Sequence, residues 1–98
     1  MSKERKSEGR EKMAIGARLI LTRQVLGLDQ TEFAKRAGIA KSTYNQYESG
    51  TNQPRIQEAH KICDQFGLTL DWIYRGDHSG LRYELANAIK NVRQARAH

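Results

Sequence analysis

The sequence predicts an all-α protein, five short helices followed by a C-terminal amphipathic helix, and three observations carry that expectation. Beyond residue 12, apolar residues recur at spacings of three and four, the pattern of helices that bury one face. Glycines stand at 27, 38, 50, 67 and 76, each where such a pattern stops, as helix C-terminal caps do. No stretch combines strict period-two alternation with β-branched enrichment, so no strand is expected.

Each element has its own justification. Ile15, Leu19, Thr22 and Leu26 fall on one face of helix one, which Gly27 ends. Asp29 is the N-cap candidate of helix two, Gln30 to Ala37, with Phe33, Ala34 and Ala37 on one side. Helix three runs from about Ala40 to Ser49 and is closed by Gly50; residues 51–54 form a loop that holds the single proline, Pro54. Helix four, about Arg55 to Phe66, turns Ala59, Ile62, Cys63 and Phe66 inward. Thr69 caps a fifth helix through Tyr74. In the C-terminal segment, Leu81, Leu85, Ala88, Val92 and Ala95 follow spacings of four and three, with Ile89 beside them and Arg82, Lys90 and Arg93 opposite. That stripe spans about two heptads, short of the roughly three or four a self-standing coiled coil needs.

Three segments follow from this. Residues 1–12 carry five basic and three acidic side chains and no apolar one after Met1, which predicts a disordered charged arm. Residues 13–76 hold the five-helix domain, and 77–98 the amphipathic helix. Each segment has a net charge of +2, within a total of +6 from 17 Lys and Arg against 11 Asp and Glu. The isoelectric point near 9.8 suggests a polyanionic partner, although charge speaks to association and not to fold.

Composition also excludes several classes. With 98 residues there is room for one modest core. Mean hydropathy is −0.79 and no apolar run approaches the roughly 20 residues of a membrane span. One cysteine rules out an internal disulfide framework or a paired-thiolate zinc site. His60, His78 and His98 share no metal-ligand spacing, so neither metal nor cofactor is expected. There is no nucleophile–base pair, paired-carboxylate arrangement or Gly-rich phosphate loop, and the chain is not expected to be an enzyme.

The functional signal lies where helices two and three meet. Gly38 follows helix two directly and helix three begins within two or three residues, the geometry of a helix-turn-helix. At about 100° per residue, Ala40, Tyr44 and Tyr47 share one side of helix three, with Thr43 and Glu48 at its edges. Lys41, Ser42, Asn45, Gln46 and Ser49 fall on the other. A cation, two hydroxyls and two amides are the chemistry of a major-groove reader, and also that of an ordinary solvated helix face.

The stretch from Ile15 to Gly76 resembles the Cro/repressor-type (Xre-type, lambda repressor-like) helix-turn-helix domain of lambdoid phage repressors and bacterial regulators. The resemblance is carried by Leu19, Arg23, Gly27-Leu28-Asp29-Gln30, Phe33-Ala34, Gly38, the run Tyr44 to Gly50, Pro54, and Leu70-Asp71-Trp72-Ile73. The sequence departs from the family at Tyr44 and Tyr47, where aliphatic residues usually stand. The resemblance implies a sequence-specific regulator of double-stranded DNA, most simply a dimeric repressor in the cytoplasm, associated with the nucleoid. It places Lys41, Ser42 and Gln46 at base edges, with Asn45 beside them on the same face. Gln30, Thr43, Thr51, Asn52, Gln53 and Arg55 become phosphate contacts. Arg23 and Glu48 would form a partly buried bridge between helices one and three.

A palindromic operator requires a protein dimer. Leu81, Leu85, Ala88, Ile89 and Val92 are therefore the dimerisation candidates, the other destination for that stripe being helix five of the same chain. With no sensor domain expected after Gly76, induction would come from a protein effector, competition for the operator or a change in protein level. The alternative function is an antitoxin or adaptor that uses the same fold mainly to grip a protein. Cys63, at a core spacing, reads as a small buried hydrophobe rather than a redox sensor.

Overall fold

A computed structural model describes the backbone of residues 2–97 and the side chains of 9–96; Met1 and His98 lie outside the described residues. Six helices follow in order: α1 Ser2–Val25, α2 Gln30–Ala37, α3 Lys41–Ser49, α4 Ile56–Phe66, α5 Leu70–Arg75 and α6 Tyr83–Ala97. No strand occurs among the described residues. None of these helices is long and apolar enough to cross a membrane. Ala40 and Arg55, expected as first helical residues, are instead the extended N-caps of α3 and α4.

Local chemistry sets the helix ends. The Asp29 carboxylate accepts the backbone N–H of Glu32 at 2.8 Å, and the Thr69 hydroxyl accepts that of Trp72 at 3.0 Å. At the end of α2, Gly38 takes a left-handed φ of 74° that costs a residue without a Cβ nothing. Its N–H caps the carbonyls of Ala34 and Lys35, and the chain turns directly into α3.

The core is one cluster drawn from all six helices and the turns between them. Phe33 of α2 stacks on Phe66 of α4 at 4.1 Å between ring centres and leans on Tyr44 of α3 at 4.9 Å. Trp72 is completely buried, and its indole N–H donates to the Thr22 hydroxyl at 2.9 Å. That hydroxyl in turn donates to the Arg18 carbonyl at 2.7 Å, so the buried polar atoms of this pair are satisfied. Arg18 reaches from α1 to α5 and donates from Nε and Nη2 to the Ile73 carbonyl, placing a cation at the C-terminal turn of α5 where the helix dipole favours one.

Two expectations are corrected here. Residues 2–12 are not a disordered arm: they extend α1 by three turns. Lys, Arg and Glu are good helix formers, and a helix already nucleated over 13–25 gains one backbone hydrogen bond for each further residue. Lack of apolar residues argues against a core of its own but not against continuing a neighbour's helix. The second correction concerns the C-terminal stripe. Leu81, Leu85 and Ile89 are buried inside the chain's own core, and Ala88 and Val92 are half-buried beside them. Within the chain the stripe docks chiefly on α1, with α6 also reaching α5 through Arg93. Arg96 of α6 bonds to the Gln24 amide of α1, and the Arg93 guanidinium lies over Trp72 at 5.1 Å. A segment that buries Leu85 and Ile89 of α6, and Leu81 just before it, at home gains their transfer free energy without the entropy cost of association.

Candidate nucleic-acid interface

The outer face of α3 is set by what its inner face buries. Tyr44 is fully enclosed and Tyr47 nearly so, their rings meeting edge-on at 6.3 Å. With those two side chains in the core, the helical period leaves Lys41, Ser42, Asn45 and Gln46 exposed along one side and Thr43 half-exposed at its rim. The larger rings in place of aliphatic side chains thus leave the same face outward. Tyr44 carries one cost: its hydroxyl is buried beside Glu48 without a hydrogen-bond partner. Burial, and then the neighbouring carboxylate, push its ionisation far above the ordinary tyrosine range.

A three-helix junction holds α3 against the scaffold. Arg23 of α1 donates from Nε to Glu48 Oε2 at 2.7 Å and from Nη2 to Oε1 at 3.1 Å, the two-pronged geometry that suits guanidinium and carboxylate. Its Nη1 donates to the Leu28 carbonyl at 3.1 Å. Gln30, the first residue of α2, donates from Nε2 to Glu48 Oε1 at 2.8 Å. The Glu48 side chain is only 3% exposed and that of Arg23 16%. Burial opposes ionisation of Glu48, but the bonds from Arg23 and Gln30 outweigh it and hold the carboxyl below its ordinary value. One carboxylate therefore ties α1, α2 and α3 together. The Arg23–Glu48 bridge was expected; the third partner was not, since Gln30 was assigned to phosphate alone.

Backbone packing tightens the same junction. A Cβ on Gly16 would lie 2.6 Å from the carbonyl oxygens of both Tyr47 and Glu48. Only glycine lets α1 approach the last turn of α3 this closely, and periodicity gives no hint of it because Gly16 sits inside an otherwise ordinary helix.

The loop after α3 is bound back onto the helix. Gly50, at φ 79°, closes α3, and the N–H groups of Thr51 and Asn52 both donate to the Gln46 carbonyl, at 3.0 and 3.2 Å. The Ser49 and Thr51 hydroxyls share a hydrogen bond of 2.8 Å. Asn52 Nδ2 donates to Gln46 Oε1 at 2.6 Å. Beyond this loop, Tyr74 donates its hydroxyl to the carbonyl of buried Pro54 at 2.7 Å and pins the chain before α4.

Between α3, the loop and α4 lies an open cleft of about 450 Å³. It brings together Thr43, Gln46, Asn52, Gln53 and Arg55 from the expected set, with Tyr47 and Glu58 completing its wall. Glu58 carries a counter-ion, Lys61, at 3.6 Å. Lys41 and Arg55 form no ion pair among the described residues, which leaves two cations available on this side of the molecule. Lys41, Ser42 and Asn45 stand on the helix face outside the cleft, Thr51 spends its hydroxyl on Ser49, and Gln30 lies at the junction. Away from this face, the Cys63 thiol is buried, and burial followed by Asp64 pushes it up to about 11. No group of three His, Cys, Asp or Glu side chains that could hold a metal occurs among the described residues.

Comparison with known proteins agrees with this geometry. A family model described as helix-turn-helix matches residues 21–73, more than half of the chain. The cryptic phage CTXphi transcriptional repressor RstR of Vibrio cholerae is 26% identical over 65 residues, 66% of this chain and 59% of that protein. RstR from V. cholerae serotype O1 is 28% identical over 82 residues, 84% of this chain and 73% of that protein. An SPbeta prophage-derived uncharacterized HTH-type transcriptional regulator of Bacillus subtilis, YonR, is 30% identical over 64 residues, 65% of this chain and 59% of that protein. The matches thus span between 59% and 73% of these relatives' own lengths. No solved structure gives a significant match. On the family match and the geometry of α2, its turn and α3, the chain belongs to the helix-turn-helix family of Cro/repressor (Xre) type, a family of DNA-binding transcriptional regulators.

Proposed function

We propose that this protein is a sequence-specific repressor that lays α3 in the major groove of double-stranded DNA. The observation that carries this is the face of α3 itself: four polar side chains, Lys41, Ser42, Asn45 and Gln46, exposed together on a helix clamped from behind through Glu48. Lys41 offers a donor to guanine acceptors, the Asn45 amide suits adenine, and the Ser42 hydroxyl and Gln46 amide suit mixed edges. Thr43, Gln53 and Arg55 line the cleft beside the helix and would hold a backbone phosphate, with Thr51 on the adjoining loop, so fixing register without reading sequence. Gln30 keeps one amide hydrogen beyond its bond to Glu48. At the N-terminus of α2 that hydrogen would meet a phosphate, coupling backbone contact to the clamp.

The active form in this proposal is a homodimer on a palindromic operator, its two copies of α3 about 34–36 Å apart, and repression follows from occlusion of an overlapping promoter. Because Leu81, Leu85 and Ile89 are occupied within the chain, the dimer contact uses another surface. The rival use of this fold as an antitoxin or adaptor loses the free C-terminal stripe that favoured it.

Selection of bound sequences from random duplexes at two salt concentrations tests the proposal. The expected result is a two-fold symmetric site whose enrichment survives the higher salt. Binding that enriches no sequence and collapses with salt, as pure phosphate attraction does, would refute it.

A further inference from the structure

We infer that Asn52, a loop residue outside the recognition helix, sets which base Gln46 prefers by fixing the direction of its amide. A glutamine amide has two ends of opposite polarity. When free to rotate it can donate to N7 or O6 and equally accept from an exocyclic amine, and it discriminates poorly unless something holds it. Here something does. Asn52 Nδ2 donates to Gln46 Oε1 at 2.6 Å, so the carbonyl end turns toward the loop and the amino end is left for the groove.

The loop that carries Asn52 is itself held to Gln46. The backbone N–H groups of Thr51 and Asn52 both donate to the Gln46 carbonyl, and the Ser49 hydroxyl donates to the same oxygen at 3.1 Å. Ser49 and Thr51 close the loop from the other side through their hydroxyls. Gln46 is thus bound at main chain and side chain by one short loop, while Asn45, its neighbour on the face, has no side-chain bond to that loop. Both amides are solvent-exposed, so their pairing is made at the surface that would meet the duplex.

The chemistry gives a direction to the preference. With Nε2 outward, Gln46 presents donors only and favours bases rich in major-groove acceptors, guanine through N7 and O6 or thymine through O4. The two-bonded grip on adenine needs the carbonyl end as well, and that end is engaged. Replacing Asn52 by Asp would leave only acceptors on the side chain that meets Gln46. Gln46 would then donate inward from Nε2 and show its carbonyl oxygen, favouring cytosine N4 or adenine N6. Asn52 has this role only if Gln46 reads a base, as proposed above.

The experiment is selection from random duplexes with the full chain and the variants Gln46→Ala, Asn52→Ala and Asn52→Asp, with thermal unfolding as a check on the fold. Gln46→Ala identifies the base pair read by Gln46 as the one whose preference is lost. At that pair we expect the parent protein to select one orientation, with the keto base, guanine or thymine, always on the same strand of each half-site. Asn52→Ala should flatten the preference roughly fivefold or more. Asn52→Asp should invert that orientation, putting the amino base, cytosine or adenine, on the strand that carried the keto base, while the other positions keep their bases even though the added negative charge weakens binding throughout. If Gln46→Ala marks a position and both Asn52 variants leave its base unchanged, the inference is overturned and base reading by Gln46 stands. If Gln46→Ala changes no position, base reading by Gln46 fails and the role of Asn52 fails with it.

Discussion

Removing the carboxylate of Glu48 tests whether one side chain holds the reading helix in place. In Glu48→Ala, the Arg23 guanidinium loses both charge-assisted bonds and keeps only the Leu28 carbonyl, and the Gln30 amide loses its acceptor. Breaking one side of a fully buried pair costs about 3–5 kcal/mol. Arg23 retains 16% exposure and can recover some hydration, which lowers the expectation to about 2–3 kcal/mol. At roughly 4–8 °C per kcal/mol for a domain of this size, Tm should fall by about 10–20 °C. Glu48→Gln keeps an acceptor and the shape, loses the charge, and should cost about 1–2 kcal/mol.

The pH dependence has a definite sign. Folded Glu48 titrates below its ordinary value of 4.5, so the folded protein binds fewer protons than the unfolded chain as the pH drops toward that range. The stabilisation is complete above about 4.5 and is lost as pH falls through the lower, folded value. The gap in stability between parent and Glu48→Gln should accordingly be widest near pH 7 and shrink below pH 4.5. Thermal unfolding followed by circular dichroism, at pH 7 and across the acid range, reads both quantities. Titration of an operator duplex reads the accompanying loss of specific affinity. A Glu48→Ala protein within about 0.5 kcal/mol of the parent, with operator affinity intact, would show that the junction neither stabilises the fold nor positions α3.

Three further outcomes follow from contacts in the core. Gly16→Ala adds a methyl 2.6 Å from two carbonyl oxygens; the roughly 1 kcal/mol gain in helix propensity should be outweighed by about 1–3 kcal/mol of overpacking, lowering the urea midpoint and operator affinity together. A higher midpoint with unchanged binding would mean that α1 and α3 are not held at this distance. Ile89→Ala should cost about 2–5 kcal/mol in urea unfolding at every protein concentration, because Ile89 is fully buried within one chain; a loss that disappears at high concentration would return α6 to a partner protomer. Tyr44→Phe removes a buried hydroxyl that has no partner and should leave Tm unchanged or raise it by a few degrees, whereas a drop of more than about 1 kcal/mol would reveal a bond to the Glu48 junction.

Most of the helices were legible before any tertiary contact was known. The spacings Ile15–Leu19–Thr22 and Ala59–Ile62–Cys63–Phe66, the Asp29 and Thr69 caps and the glycine stops depend on residues three or four apart, and a helix writes its own period into its sequence. The outward set Lys41, Ser42, Asn45 and Gln46 was legible for the same reason. The Arg23–Glu48 pairing, 25 residues apart, came from the family resemblance and not from spacing. The helical continuation over residues 2–12 is not legible in composition, which reports what a segment can bury, and a helix that continues a folded neighbour has no need to bury anything.

What local pattern could not supply is the identity of partners brought together from distant positions. An apolar stripe from Leu81 to Val92 announces that it must dock, but its spacing leaves a second copy of the chain and helix five as destinations and does not point to α1. Only the path of the chain after Gly76 lays it on α1 and buries Ile89 there. Gln30 meets Glu48 across 18 residues, and Asn52 meets Gln46 through a loop whose shape depends on Gly50 and Pro54. Gly16 matters because another helix's carbonyls arrive 2.6 Å from its missing Cβ. The period of a helix is a property of one segment, readable in one dimension. Which oxygen faces which nitrogen is a property of distances between segments, and those exist only once the chain has packed.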